Sequence, residues 1–224
     1  MLSLIAAAWL GFQPAHAMSP EIAEVIAPVT EAIAAERDRQ AALPPPADDR
    51  EQLERMGALD QAPRMRIGEI DVSRLSPEQA AEAWAAVGAA IKPIDEANLS
   101  ALLTMVPDEG WFTRSRYGSE AASAAFHIVQ HGDETVWRRF LPVLEPLVAT
   151  GEVEGEAYAK MFDRLAVSEE RPQRYGTQFI CVDRRMTLAP LEDEDRVEAW
   201  RAEMNISLPL SAYVDHMKAA PPCG

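Results

Sequence analysis

Apolar residues recur at helical spacing through most of this chain, and the period changes only once. Ile22, Val25, Ile26, Val29 and Ile33 mark a first helix. Ser19-Pro20-Glu21 opens it with an N-cap hydroxyl, a proline at the first helical position and an acid in the first turn. Pro28 is expected to kink or split it. The helix closes in Glu36-Arg37-Asp38-Arg39, and Leu43-Pro44-Pro45-Pro46-Ala47-Asp48-Asp49 reads as a stiff, exposed linker. Residues 18–48 are therefore expected to form an N-terminal helical arm and Pro-rich linker outside the main domain.

The pattern continues as a series of helices. Asp49 to Leu59 reads as a short one, and residues 60–75 as irregular. Ser76-Pro77-Glu78-Gln79 is a second start with a capping box, and Ala80, Ala83, Trp84, Val87 and Ile91 form its apolar face. Pro93 is expected to stop it and Asp95 to cap another helix carrying Leu99, Leu102, Leu103 and Val106. Ser119 is expected to cap a helix that runs to His131. Asp133 should cap one that is kinked by Pro142 and Pro146. Tyr158, Met161, Phe162 and Leu165 give the cleanest helical spacing in the chain. The period then shortens: Thr177 to Val182 is β-prone, Asp183-Arg184-Arg185 can turn, and Met186-Thr187-Leu188 can return, which predicts a β-hairpin. Helices over Glu192–Met204 and Leu208–Met217 complete the chain. The expected fold is mostly α: an irregular helical domain over residues 49–217 with one small C-terminal β-hairpin and a tail at 218–224.

Residues 1–17 stand apart. Leu2 to Phe12 is an apolar run too short to span a bilayer, followed by Pro14 and the small-residue pattern Ala15-His16-Ala17. This reads as a signal peptide with the mature chain starting at Met18, so a periplasmic or secreted protein is expected. No Lys or Arg precedes the apolar run; if Met18 is the true start, the protein is cytoplasmic. No integral membrane segment is expected after cleavage. The formal net charge of −15 repels phosphate backbones and anionic membranes and argues against nucleic acid as a partner. The two cysteines, Cys181 and Cys223, either pair across an exported chain or remain free thiols; the spacing allows both.

Candidate chemistry is concentrated in three polar patches. They are Gly110-Trp111 with Ser115 and Gly118, then Gln130-His131, then Arg171 to Gln178. Each carries more hydrogen-bonding groups than the helical pattern around it needs. His131 suits acid–base work because imidazole titrates near neutral pH. His127 and His131 are four apart on one helix, as a metal site would require, yet Ile128 stands where a zincin has its catalytic Glu and no third ligand has convincing spacing. No metal and no cofactor are expected. Ser115 lacks the Gly-x-Ser-x-Gly elbow of a nucleophile. Each patch also has a structural reading: Trp111 as a core anchor, His131 bonded at a helix end, and the 171–178 loop satisfying buried backbone groups.

In this order the patches resemble a bacterial family classed as a domain of unknown function, number sixty-six twenty-four. The matching residues are Gly110, Trp111, Ser115 and Gly118; Gln130 and His131; Asp163 and Arg164; and Gln173, Tyr175, Gly176, Thr177 and Gln178. An upstream Asp-Gln followed by Arg matches Asp60, Gln61 and Arg64. Gly132 stands where the family usually has Ala, and Phe112 where Pro is common. The resemblance groups residues without supplying an activity. The leading expectation is a domain that binds an unknown small polar molecule or peptide through Trp111, Ser115, Gln130, His131, Arg171, Gln173, Tyr175 and Gln178. The alternatives are an enzyme with His131 as general base, and a structural domain in which these groups form an internal network.

Overall fold

The structure, a computed structural model, describes residues 18–219 and residue 223; the segment read as a signal peptide lies outside them. In chain order the elements are α1 (Pro20–Ala41), α2 (Asp49–Arg64), α3 (Pro77–Met105), α4 (Arg114–Tyr117), α5 (Ser119–Gln130), α6 (Glu134–Ala149) and α7 (Gly155–Ser168). They are followed by β1 (Phe179–Val182), β2 (Arg185–Leu188), α8 (Val197–Glu203) and α9 (Leu210–Lys218). The fold is mostly helical with one small antiparallel hairpin, as the periodicity predicts.

Two hydrophobic cores share the long helix α3. The larger gathers Leu53 and Met56 of α2, Leu102 of α3, Ala121, Ala125 and Ile128 of α5, Phe140 and Leu144 of α6, and Tyr158, Met161 and Leu165 of α7 around Trp111 and Phe112. The smaller is formed by Ile22, Ile26, Val29 and Ile33 of α1 against Ala83, Val87, Ile91 and Ile94 of α3. The first helix is thus docked on the body and is no free arm. The proline-rich turn after it is also held: the Arg55 guanidinium donates to the Pro44 carbonyl at 2.8 Å, and the Gln40 amide donates to the Arg55 carbonyl at 2.8 Å.

Several local expectations meet tertiary override. Pro28 and Pro93 neither split nor stop their helices, since α1 and α3 run through them. A proline removes one N–H and frees the carbonyl four residues earlier; here those carbonyls belong to the exposed Glu24 and Ala89, where water can serve them. The capping box at Ser76 and Gln79 is formed, and the Asp133 carboxylate caps α6. By contrast, Gly118 with φ +85°, and not Ser119, occupies the N-cap of α5. The helix expected to end at Leu59 continues to Arg64. Trp84 is exposed at 43 %, because Ala83 and Val87 set the buried face of α3 one position away. In the hairpin, Asp183 and Arg184 both take positive φ, as a two-residue type I′ turn demands, and the register pairs Val182 with Arg185 and Phe179 with Leu188. Cys181 and Cys223 are joined in a disulfide that ties the C-terminal tail to β1.

Candidate functional site

The His131 site begins with a close approach of two helices. A Cβ on Gly57 of α2 would stand 2.4 Å from the Ala124 Cβ of α5, so only glycine lets these backbones come so near. Less than one turn further along α2, Asp60 reaches the end of α5. Its fully buried carboxylate meets His131 Nδ1 at 2.9 Å. With Nδ1 facing a carboxylate, the neutral ring carries its proton there and keeps the Nε2 lone pair free.

Arg64, one turn after Asp60, completes the group. Its guanidinium donates to the Asp60 carbonyl at 2.7 Å and the Asp60 carboxylate at 3.2 Å, then to both oxygens of Asp95 on α3 at 2.8 and 2.9 Å. The Gln61 amide donates to the other Asp60 oxygen at 2.6 Å. Burial works to raise the pKa of Asp60. The bond to His131 and the charges of His131 and Arg64 outweigh it and hold the carboxyl below its ordinary value. His131, Arg64 and Asp95 keep 17 %, 18 % and 23 % of their side-chain surface exposed, so the pair lies at the edge of the core.

His127 stacks on His131 with ring centroids 6.4 Å apart and planes 16° apart. Burial, then the neighbouring His131, push its pKa down, so it is held neutral. It faces a small cavity of about 40 Å³ lined also by Trp111, Arg114, Ser123, Glu152 and Glu154. One or two waters fit that volume. Among the described residues His127 joins no cluster of three potential metal ligands with His131. The ligand atoms of Asp60, Asp95 and His131 do lie within 4.8 Å of one another. Arg64 already bridges those two carboxylates, so its guanidinium supplies the positive charge a cation would bring.

The 171–178 patch lies in a second, separate network. Asp163 of α7 is fully buried, and its carboxylate accepts from Arg174 N at 2.8 Å, Tyr175 N at 3.0 Å, Thr177 N at 3.0 Å and the Thr177 hydroxyl at 2.9 Å. Gln173 is equally buried: its amide donates to the Gln178 and Ala189 carbonyls, both at 2.9 Å, and its oxygen accepts from Gln178 N at 2.8 Å. The Gln178 amide donates to the Thr177 hydroxyl at 3.0 Å and the Lys160 carbonyl at 3.3 Å. Gly176, at φ +68°, lies under Leu210, where a Cβ would come within 2.7 Å of that side chain. The Tyr175 ring packs edge-on against Phe162, and Arg201 donates to its carbonyl at 2.7 Å. This loop is locked onto α7, the hairpin and α8 by its own polar groups.

The expected single site therefore divides. Gln173, Tyr175 and Gln178 belong to the Asp163 network and share no hydrogen bond with His131. Arg171 is exposed and bonds Glu169 at 2.8 Å. Trp111 is a core anchor, edge-on to Phe140. Ser115 is exposed; its backbone N–H donates to Glu152 at 2.9 Å and its hydroxyl to Thr113 at 3.4 Å. Gln130 takes part through its carbonyl, which accepts from the Trp137 indole at 3.2 Å and from Arg164 at 3.3 Å, closing the end of α5 just before His131. The partners that single-residue reasoning left out of the site are Asp60, Arg64 and Asp95. The signal for Asp60 and Arg64 was the Asp-Gln-x-x-Arg pattern, whose i,i+4 spacing has meaning only if the helix continues past Leu59; Asp95, 31 residues after Arg64, had no such signal.

Residues 47–221 match the family described as a family of unknown function (DUF6624), and the chain belongs to that family. No curated protein and no solved structure matches the chain. Among the described residues no helix is long and apolar enough to cross a membrane.

Proposed function

We propose that this chain is an exported helical domain that takes a small polar ligand beside the Asp60–His131 pair, with His131 as general base toward the ligand or a bound water. One observation carries the reading: a fully buried carboxylate fixes Nδ1 of an imidazole that keeps part of its surface exposed. That arrangement selects the tautomer with a basic Nε2 and stabilises the imidazolium once a proton arrives. Ser115 is engaged elsewhere, so the base would act on water or on the ligand's own proton. The Cys181–Cys223 disulfide supports export, since such bonds persist in oxidising compartments.

A second reading treats the group as an internal brace. Arg64 favours it, because one guanidinium ties α2 to α3 through Asp60 and Asp95. Carbethoxylation of the folded chain separates the two. As general base, His131 is modified at Nε2, and Asp60→Asn slows that modification. A His131 that stays unmodified while exposed His216 reacts makes the group a brace. Thermal-shift screening of polar metabolites and short peptides against the wild type and His131→Gln then identifies the ligand as one whose stabilisation the variant loses.

A further inference from the structure

The hairpin carries a second surface unlike the rest of the molecule. A groove of about 720 Å³ runs between β2 and α9, lined by Arg184, Arg185, Met186, Thr187, Leu188, Val214 and Lys218. The whole chain has 36 acidic residues against 21 basic ones, yet among the described residues three cations and no carboxylate line this groove. None of the three is ion-paired among the described residues. They are held together by the fold: the turn places Arg184 and Arg185, α9 ends at Lys218, and the disulfide brings Cys223 to the rim, where its N–H donates to the Arg184 carbonyl at 3.2 Å.

The backbone adds an independent feature. With a two-residue turn and Val182 opposite Arg185, hydrogen-bonded pairs alternate along the ladder. Gln178 and Ala189 continue that alternation, with Ala189 N donating to the Gln178 carbonyl at 3.1 Å. The N–H and C=O groups of Met186 and Leu188, two residues that line the groove, consequently point away from β1, and nothing among the described residues pairs with them. An unpaired strand edge is a template for another strand. Cations above that edge select an acidic one, and the half-buried Met186, Leu188 and Val214 offer apolar seats for alternate side chains.

We propose that the groove between β2 and α9 docks an extended acidic peptide, which adds a strand to the free edge of β2. Charge complementarity draws the segment in; edge hydrogen bonds require a peptide backbone, which a lipid headgroup or a free anion lacks. This surface is distinct from the His131 site, and neither proposal depends on the other.

The test uses the full, disulfide-bonded chain and a fluorescein-labelled hexapeptide of alternating Glu and Val, followed by fluorescence anisotropy at low salt. Saturable binding is expected. It should weaken about ten-fold or more with Arg185→Glu plus Lys218→Glu, and again when alternate backbone nitrogens of the peptide are methylated. Hydrogen exchange at the Met186 and Leu188 amides should slow when the peptide is added. Both substitutions replace exposed side chains, and an unchanged circular dichroism spectrum confirms that the fold is kept. Equal binding of a control hexapeptide of alternating Lys and Val, indifference to backbone methylation, binding to anionic phosphatidylglycerol vesicles in place of the peptide, or no saturable binding would each overturn the proposal.

Discussion

Asp60 and Asp163 are both fully buried carboxylates, each at the centre of a polar cluster, and they are held in opposite ways. Asp163 is surrounded by neutral donors: three backbone amides and one hydroxyl, all from the 174–177 loop. Burial pushes its pKa up, and those bonds pull it only part of the way back. Asp60 is surrounded by charged or chargeable groups, His131 and Arg64, which hold its pKa down despite burial. The partners of Asp163 are mostly sealed in, whereas those of Asp60 reach the surface. The first arrangement fixes backbone. The second sets up a titratable side chain at an accessible edge, which is why the functional proposal rests on Asp60 and His131 and not on the more conspicuous Tyr175–Gln178 run.

Substitutions that remove each anchor break the comparison most directly. Asp163→Ala strands buried amides that cannot turn to water, and should cost about 3–5 kcal/mol in chemical denaturation. Gln173→Ala exposes the same loop to a smaller loss of about 2–3 kcal/mol, because Gln178 N and two carbonyls lose their partner. Asp60→Asn should cost less than either, about 1–2 kcal/mol, since Arg64 keeps Asp95 and His131 can rehydrate. If Asp60→Asn proves costlier than Asp163→Ala, the cluster at His131 is the brace and the contrast is reversed.

Acidity sharpens it further. The folded pKa of Asp60 is lowered, so its stabilising contribution is fully present above the unfolded carboxylate value, about 3.9, and is lost as pH falls through the folded value. Denaturation across the acid range should therefore be less steep with pH in Asp60→Asn than in the wild type. The smallest effect comes from His127. Its folded pKa is lowered, so the unfolded chain takes up a proton first, and stability should fall as pH drops below about 6.5. His127→Gln should flatten that slope, which cannot exceed about 1.4 kcal/mol per pH unit for one group. An unchanged slope would mean that His127 takes up its proton as readily in the fold as in the unfolded chain.

The amino-acid sequence by itself determined the helices with strong caps and clean spacing, the hairpin with its turn after Val182, and the residues that group as a family motif. Those features are local: a capping hydroxyl, a 3.6-residue period and a positive-φ turn act within a few residues of one another. Only the tertiary structure decided the rest. It carried α1 and α3 through their prolines, with the freed carbonyls on the exposed residues Glu24 and Ala89, and it docked α1 by burying Ile22, Ile26, Val29 and Ile33 against α3. It paired Cys181 with Cys223 across 42 positions. It also divided one apparent polar site into two: Asp60 and His131, 71 residues apart, meet because Gly57 lets α2 lie against Ala124, while Asp163 gathers the 174–177 loop elsewhere. Which polar group meets which is set by the packing of helices that carry them, and no periodicity along the chain encodes that meeting.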